Sequence, residues 1–296
     1  MSVNQASPKL LNLGCGSHFH LDWTNLDFVS QSPHVQQHDL RKGLPEASDQ
    51  FDMVYHSHVL EHFAPQQGQQ FLAECYRVLK PGGVLRIAVP DLEQIAQLYL
   101  QYLNDGLGQL ERDNRDDDSL QRYHWMKLEL LDQMTRHQSG GSMGPFMVQA
   151  TGAIQEFIDQ RLGRELEYAK KDSAEAAFEQ PSNSSGQIVK NSDWRKKIAR
   201  KVVKWLLGRE AVAQMEIGNF RDSGEVHRWM YDRLSLRLLC SDLGFEDYVV
   251  RSAEESYLPH FESYELDTID GRVRKPDSLF IECRKPRQCV ADRRVA

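Results

Sequence analysis

The stretch Leu10-Leu11-Asn12-Leu13-Gly14-Cys15-Gly16-Ser17 organises the rest of the chain. An apolar run that ends in a Gly-x-Gly turn is typical of the first strand of a doubly wound sheet, where the glycines let the backbone approach a ligand closely. A second strand-like run, Asn25-Leu26-Asp27-Phe28, follows and carries an acid that suits ribose hydroxyls. The pattern predicts a nucleoside-type cofactor at this turn.

The connection between these two strands, residues 17–24, is short for a crossover helix. A parallel strand pair usually needs about a dozen or more connecting residues. A truncated first helix offers few N-terminal amides to a diphosphate, so we expect a cofactor without one. An NAD-dependent oxidoreductase is the less favoured alternative, because the third glycine of Gly-x-Gly-x-x-Gly is also missing.

Strands and helices alternate over residues 9–90. An amphipathic helix over 66–79 stops at Lys80-Pro81-Gly82-Gly83, and the buried strand Val84-Leu85-Arg86-Ile87-Ala88-Val89 follows. Strand-like runs return at 248–251 and 278–283. This alternation predicts an α/β fold with a Rossmann-like, mostly parallel sheet and helices on both faces.

The middle of the chain has a different character and predicts a helical insertion. We expect the core to come from 1–105 and 225–285, a mainly helical insertion or lid to occupy 106–224, and 286–296 to be a flexible tail. Helices are expected at 92–103, 123–135 and 151–168. The polar segment 170–193 is expected to be mobile.

The bulk composition excludes several classes of protein. The chain has 296 residues, 40% of them hydrophobic and 27% charged, which is ordinary for a soluble globular protein. A net charge of −7 disfavours bulk nucleic-acid binding, and no apolar run approaches the roughly 20 residues that span a bilayer. The first residues lack the features of a signal peptide, so cytoplasmic residence is expected.

The five cysteines, Cys15, Cys75, Cys240, Cys283 and Cys289, form no Cys-x-x-Cys pair. A disulfide framework or structural zinc site is therefore not expected. We interpret Cys15, inside the glycine turn, as a small residue in a tight place rather than as a nucleophile.

Residues 194–209 form a basic amphipathic segment. Its apolar and basic residues fall on opposite faces of a helix, with Trp194, Ile198, Val202, Trp205 and Leu206 on the apolar face. Two interpretations stay open. In the first, the segment is a lid helix packed on its own domain. In the second, it contacts an acidic partner or an anionic membrane, and membrane contact would place the protein peripherally at the inner membrane face.

Six short segments occur in order along the chain. They are Leu11-Asn12-Leu13-Gly14-Cys15-Gly16, Asn25-Leu26-Asp27, His38-Asp39-Leu40, Phe51-Asp52-Met53-Val54-Tyr55, His58-Val59-Leu60-Glu61-His62 and Arg77-Val78-Leu79-Lys80-Pro81-Gly82-Gly83. Together they resemble the class I S-adenosylmethionine (SAM)-dependent methyltransferases, in particular the type 11 group. The resemblance covers about the first hundred residues and the terminal strand pair. It implies a seven-stranded sheet with an antiparallel last strand, and SAM as the cofactor.

The resemblance also implies cofactor-binding residues. Asp27 would accept the ribose hydroxyls, and Asp39 the adenine amino proton. The other residues expected at the cofactor are Gly14, Cys15, Gly16, Leu40, His56 and Ser57. An acid at a strand end is also a common helix N-cap, which is the structural alternative for both carboxylates.

Methyl transfer needs the acceptor to be aligned with the methyl group of SAM and water to be excluded. If the acceptor is a hydroxyl or a protonated amine, the reaction also needs a base to remove its proton. His58 and His62 are four residues apart and would share one helical face, with Glu61 beside them. We predict one of the two histidines as the base, with His62 preferred; the alternative is that both are structural. A metal site made from His58, Glu61, His62 and a residue of the insertion is a disfavoured alternative, because no second cluster of ligands is visible. No metal is therefore expected.

The insertion should close the acceptor pocket. Trp125, Arg136, His137 and His227 are the predicted substrate-binding residues, beside the glycine-rich loop 139–144. Arg136 and His137 suit a hydroxylated or anionic acceptor such as a sugar; ordinary helix-end roles are the alternative.

The leading hypothesis is a SAM-dependent methyltransferase acting on a small molecule or glycan, at a hydroxyl rather than an amine. The alternative is a non-catalytic SAM-fold binding or scaffold protein that uses the 194–209 helix on a membrane or partner. The two cofactor acids, Asp27 and Asp39, favour the enzyme.

Overall fold

The computed structural model describes residues 7–30, 32–112, 116–163 and 190–287. Residues 170–189 of the predicted mobile segment and residues 288–296 of the predicted tail lie outside the described residues, and so does Cys289.

The described residues contain a seven-stranded sheet. Its strands are β1 (Leu10–Leu13), β2 (Thr24–Asp27), β3 (Val35–Gln37), β4 (Phe51–Ser57), β5 (Leu79–Pro90), β6 (Glu246–Arg251) and β9 (Ser278–Arg284), and the hairpin of β7 (Thr268–Ile269) and β8 (Arg272–Val273) precedes the last of them. Across the sheet the order is β3-β2-β1-β4-β5-β9-β6.

The strands from β3 to β5 pair in parallel, and β9 is antiparallel to both of its neighbours. This confirms the predicted mostly parallel, Rossmann-like sheet with an antiparallel last strand. The chain moves outward from β1 through β2 to β3 and then resumes on the other side of β1 with β4. Ligands of such sheets bind at this reversal, outside the carboxyl ends of the strands.

Two helices, α1 (Pro65–Val78) and α7 (Arg233–Asp242), cover one face of the sheet. Pro65 begins α1, where its missing N–H costs nothing, and Phe71, Leu72 and Cys75 form the buried stripe. The helix was predicted to stop at residues 80–83, but α1 ends at Val78. These residues lie within β5, and its pairing with β4 shifts register across them.

The opposite face is covered by an irregular segment that includes a short 3-10 helix, Phe261–Tyr264, rather than by a long helix. Trp23 packs edge-on against Tyr55, Phe261 and Tyr264, with ring centroids 5.4–6.3 Å apart. Aromatic pairs in this geometry add to the free energy gained from burial. The contacts fix the segment that leads into the β7–β8 hairpin.

A buried charge network ties this segment to the centre of the sheet. Arg86 of β5 is fully buried, and its guanidinium lies 2.7 Å from the Asp267 carboxylate and 3.1 Å from the Glu282 carboxylate. Its other N–H groups donate to backbone carbonyls of 252–255. Because both charges and donors are satisfied, the cost of burying these ions is offset.

The insertion helices form a separate apolar cluster. They are α2 (Leu92–Glu111), α3 (Asp117–Thr135), α4 (Met143–Gln149) and α5 (Ala153–Leu162). The first two are longer than predicted. Asp91 and Asp116 cap α2 and α3, while α5 ends before Gly163, whose φ is +61°.

Helix α6 (Lys190–Arg221) contains the predicted basic segment and is broken at Gly208, where φ is +87°. Ile198, Val202, Trp205 and Leu206 are exposed, so these side chains of the predicted apolar face do not pack on the domain as a lid would. None of the helices in the described ranges is long and apolar enough to cross a bilayer.

Replacing Arg86 with methionine should leave two buried carboxylates without their cation. We expect the free energy of unfolding to fall by about 3–5 kcal/mol in denaturant titrations at neutral pH. Lys80→Met is the control, because Lys80 pairs with Asp52 at 2.7 Å on the surface and should lose less than about 1 kcal/mol. Equal losses for the two variants would contradict the role given to the buried network.

Candidate active site at the carboxyl ends of the strands

The glycine turn after β1 is held by Asp27. Gly14 has a φ of +64°, and a Cβ there would lie 2.4 Å from the Val59 side chain. Gly16 has a φ of +56°, and its N–H donates to Asp27 Oδ2 at 2.8 Å. The N–H of Val29 donates to Oδ1 at 2.9 Å. A carboxylate accepts about four hydrogen bonds, so Asp27 keeps acceptor positions for a ligand.

A cavity of about 360 Å³ opens beside this turn, and we call it the strand-end cavity. It brings together four of the predicted cofactor residues, Gly14, Asp27, Asp39 and Leu40. The exposed Phe28 and the residues 222–224, which follow α6, also line it. Sequence reasoning missed Phe28, although an aromatic residue directly after the ribose acid is well placed to stack on a purine.

Asp39 is paired with Arg41, a second lining residue that the sequence analysis missed. The Arg41 guanidinium donates to both oxygens, at 2.8 and 3.0 Å, and lowers the pKa of the Asp39 carboxyl. The backbone N–H of Arg41 also donates to Oδ1, so Asp39 caps a short 3-10 helix as well. Oδ2 keeps an acceptor position for the predicted amino proton.

A smaller cavity, the hairpin cavity, lies on the other side of the turn. It brings the predicted residues Cys15, Gly16 and Ser57 together with Arg274, which donates to the Ser57 hydroxyl at 3.0 Å. Burial raises the pKa of the Cys15 thiol to about 12, in keeping with a small packing residue. Sequence reasoning missed Arg274, because this residue follows β8, which is far along the chain from the glycine turn.

The prediction for His56 needs correction. Its ring is completely buried against Phe71 of α1, with centroids 5.1 Å apart, and it lines neither the strand-end nor the hairpin cavity. Successive strand residues point to opposite faces, so Ser57 faces the hairpin cavity and His56 faces the helix.

His58 lies where three cavities meet. It follows β4, has a left-handed φ of +54°, and lines the strand-end cavity, the hairpin cavity and a third cavity described below. Its Nδ1 is 3.3 Å from Glu61 Oε1, and its Nε2 is 2.8 Å from the Ser278 hydroxyl. A non-glycine residue in this conformation is held there by its surroundings, as residues at functional sites often are.

Glu61 and His62 lie on a 3-10 turn, Leu60–His62, and not on the predicted helix. His58 precedes the turn, so the expectation that His58 and His62 share one helical face is corrected. Burial lowers the pKa of His62 to about 4 and raises that of the fully buried Glu61 to about 8. The His62 Nδ1 lies 3.3 Å from the carbonyl oxygen of Val226, where it donates.

The third cavity, the insertion cavity, also has a volume of about 360 Å³. It is lined by His58, His62, Pro90, Gln133, Arg136, Gly140, Met143, Met147, Leu162, His227, Lys275 and Asp277. Of the predicted substrate residues it contains Arg136, which pairs with Asp132 at 2.9 Å, and the buried His227.

Two predicted substrate residues do not reach this cavity. Trp125 is fully buried in the insertion cluster and donates its indole N–H to Glu129, while His137 is exposed. Two residues that the sequence analysis missed do line it, Lys275 and Asp277. Burial lowers the pKa of Lys275 and raises that of Asp277 to about 6. Neither residue lies in a recognisable motif. Their position at the cavity depends on the β7–β8 hairpin, which they follow in the chain.

Comparison with known proteins gives a match to a family model. Residues 21–87 match the family model described as "Methyltransferase domain", a span that begins after the glycine turn and includes Asp27, Asp39 and 58–62. A probable S-adenosylmethionine-dependent methyltransferase of Mycolicibacterium smegmatis is 33% identical over 105 residues, which cover 29% of this chain and 39% of the relative. The chain thus spans about two fifths of that relative.

Solved structures give wider but weaker likenesses. A SAM-dependent methyltransferase of Thermotoga maritima, described as a possible histamine N-methyltransferase, is 12% identical with a TM-score of 0.38, and the match covers 95% of this chain and 84% of that one. The [4+2]-cyclase SpnF is 23% identical with a TM-score of 0.24, over 30% of this chain and 41% of that one.

The family model and the curated relative confirm the resemblance to the class I SAM-dependent methyltransferases. Residues 21–87 thus match a methyltransferase domain, an enzyme domain whose cofactor is SAM. The methyl acceptor and the activity of the whole protein do not follow from these matches.

Asp27→Ala should weaken SAM binding about 10–100-fold in calorimetric titrations, because it removes hydrogen bonds between ribose hydroxyls and a carboxylate. Asp27→Asn should lose less, since it keeps one acceptor oxygen. Asp22→Ala, on the exposed part of the same connection, is the matched control. Unchanged SAM affinity in Asp27→Ala would show that the cofactor site lies elsewhere.

Proposed function

We propose that the protein transfers the methyl group of SAM to a hydroxyl of a small molecule or glycan bound in the insertion cavity. One observation carries the proposal. The strand-end cavity, which four of the predicted cofactor residues line, and the insertion cavity share His58 and His62. A cofactor in the first cavity and an acceptor in the second would therefore meet at these two side chains.

The proposed step is a direct displacement. An oxygen lone pair of the acceptor forms the new O–C bond while the S–C bond of the sulfonium breaks. Its electron pair returns to sulfur, giving S-adenosylhomocysteine, and the hydroxyl proton passes to a base. Enclosure by the insertion would align the two reactants and exclude water.

The geometry favours His58 as this base over His62, the residue preferred from the sequence. His58 lines both main cavities, and its Nδ1 faces the Glu61 carboxylate at 3.3 Å. Its Nε2 would take the substrate proton once the acceptor hydroxyl displaces the Ser278 hydroxyl, which lies 2.8 Å from Nε2. Burial lowers the pKa of His58, which keeps the ring neutral at pH 7.

The lining of the insertion cavity supports a polar acceptor. Arg136, Lys275 and Gln133 supply donors, and Asp277 supplies an acceptor, while Met143 and Met147 give an apolar wall. Such a mixture fits a hydroxylated ring better than a purely apolar substrate.

Incubation of the full chain with methyl-labelled SAM and panels of sugars, glycans and phenols tests the proposal directly. Label in no acceptor class, by a protein that binds SAM, would support the non-catalytic alternative.

His58→Gln should lower kcat about 100-fold or more, because general-base catalysis contributes at least this much, while the Kd for SAM changes little. His34→Gln, an exposed histidine outside the described cavities, is the control. A fall in SAM affinity without a fall in kcat would instead make His58 a cofactor-shaping residue.

A second proposal concerns the surface of α6, where we infer contact with an anionic membrane. Trp205 is 84% exposed, Leu206 and Leu207 are also exposed, and Lys201 and Lys204 on the same helix are exposed and basic. Exposed apolar side chains flanked by lysines suit the headgroup region of anionic lipid. Cytoplasmic residence stays a prediction on which this contact depends.

The full chain should therefore sediment with phosphatidylglycerol vesicles and not with phosphatidylcholine vesicles. Trp205→Glu combined with Leu206→Glu should abolish sedimentation, because two charges replace the inserting side chains. Val148→Glu, an exposed apolar position on α4, is the matched control. Equal sedimentation of wild type and the α6 double variant, or none by either, would refute membrane contact.

A further inference from the structure

Three potential metal ligands meet beside His58. Glu61 and His62 come from the 3-10 turn after β4, and His227 comes from the segment that returns to the core. One ligand atom from each lies within 4.8 Å of the other two. The rings of His62 and His227 meet edge-on with centroids 4.8 Å apart. The sequence allowed a metal at Glu61 and His62 with a residue of the insertion, but it did not identify His227 as a ligand, since Val226 beside it is 164 positions from His62.

Glu61 lacks the hydrogen bonds that a buried carboxylate needs. Its side chain is completely buried, and neither carboxylate oxygen accepts a hydrogen bond from the described residues. The His58 Nδ1 lies 3.3 Å from Oε1, at an ion-pair distance, without forming a hydrogen bond. The buried Nδ1 of His227 also has none there. Buried polar atoms are normally satisfied, and an orphaned group calls for an explanation such as a bound ion.

The surrounding backbone holds these ligands in place. The carbonyl of Glu61 accepts from the N–H groups of Arg228 and Trp229 at 2.7 and 3.2 Å, which fixes the 227 segment against the turn. The His62 Nδ1 donates to the Val226 carbonyl and so leaves Nε2 as a lone-pair donor. Metal-binding histidines typically make this kind of hydrogen bond with their second nitrogen.

We propose that Glu61, His62 and His227 bind a zinc-class divalent transition-metal ion at the edge of the insertion cavity. Two imidazoles and one carboxylate with an open position match the ligand set of catalytic zinc sites. Magnesium prefers oxygen ligands and fits this set poorly. The proposal rests on the proposed function only for the ion's role, which is to bind the acceptor oxygen and lower the pKa of its hydroxyl.

This site is compatible with His58 as the base. His58 contacts Glu61 Oε1, so Oε2 is the oxygen offered to the ion. An acceptor hydroxyl on the ion would release its proton to His58, and the carboxylate would link the two groups. The ligands must approach one another, because atoms about 2.1 Å from a tetrahedral zinc lie about 3.4 Å apart. Lys275 is the competing cation, since its charge also attracts Glu61.

The test is calorimetric titration of untagged, chelator-treated full-length protein with ZnCl₂, followed by Co²⁺ substitution and visible absorption spectroscopy. We expect one tight site, a Co²⁺ spectrum of low coordination number, and no comparable binding of Mg²⁺. His62→Gln and His227→Gln should each weaken zinc binding about 100-fold or more. His34→Gln is the control, and circular dichroism checks that each variant is folded.

Two outcomes would overturn the metal site: no zinc binding by the wild type, as expected if Lys275 alone satisfies Glu61, or binding that neither histidine variant weakens. SAM titration of the same metal-free protein separates this failure from failure of the proposed function. Zinc binding that depends on these histidines, in a protein that transfers no methyl group, would support the site and refute the methyltransferase activity.

Discussion

The buried pairing of Arg86 with Asp267 and Glu282 determines how this site is built. Arg86 sits in the middle of the sheet, and its carboxylate partners belong to the segment and strand that follow β6. Because separating these charges in a dry interior is costly, the 252–273 segment must lie on the sheet face. The residues that follow this segment, Arg274, Lys275 and Asp277, therefore lie at the strand ends. Arg274 and Lys275 line the hairpin cavity, and Lys275 and Asp277 line the insertion cavity.

The strand ends concentrate ionisable side chains that are poorly hydrated. Glu61, His58, His62 and His227 are all shifted toward their neutral forms by burial. Such a cluster would be a poor way to stabilise a fold, since each group loses hydration. It is well suited to receiving a proton or a cation at the point where two cavities meet. The strained His58 backbone belongs to the same arrangement.

The sequence predicted the features that follow from local pattern. The strand–turn–strand spacing predicted Gly14 and Asp27 as cofactor residues, and the family resemblance added Asp39. All three line one cavity, because parallel strands end at the same edge. The distant contributors Lys275 and His227 depend on how far-separated segments pack, which no local pattern records. The spacing of His58 and His62 suggested a helix, but a short 3-10 turn forms instead. The burial of His56 was predictable, because strand alternation places it opposite Ser57.

The most direct measurement is an experimental structure of the protein with SAM bound. We expect the ribose hydroxyls on Asp27 and the adenine beside Phe28 and Asp39. The methyl carbon should point past His58 into the insertion cavity, where an acceptor atom could approach to about 3–3.5 Å. SAM bound outside the strand-end cavity, or with its methyl group directed away from the insertion cavity, would contradict this site.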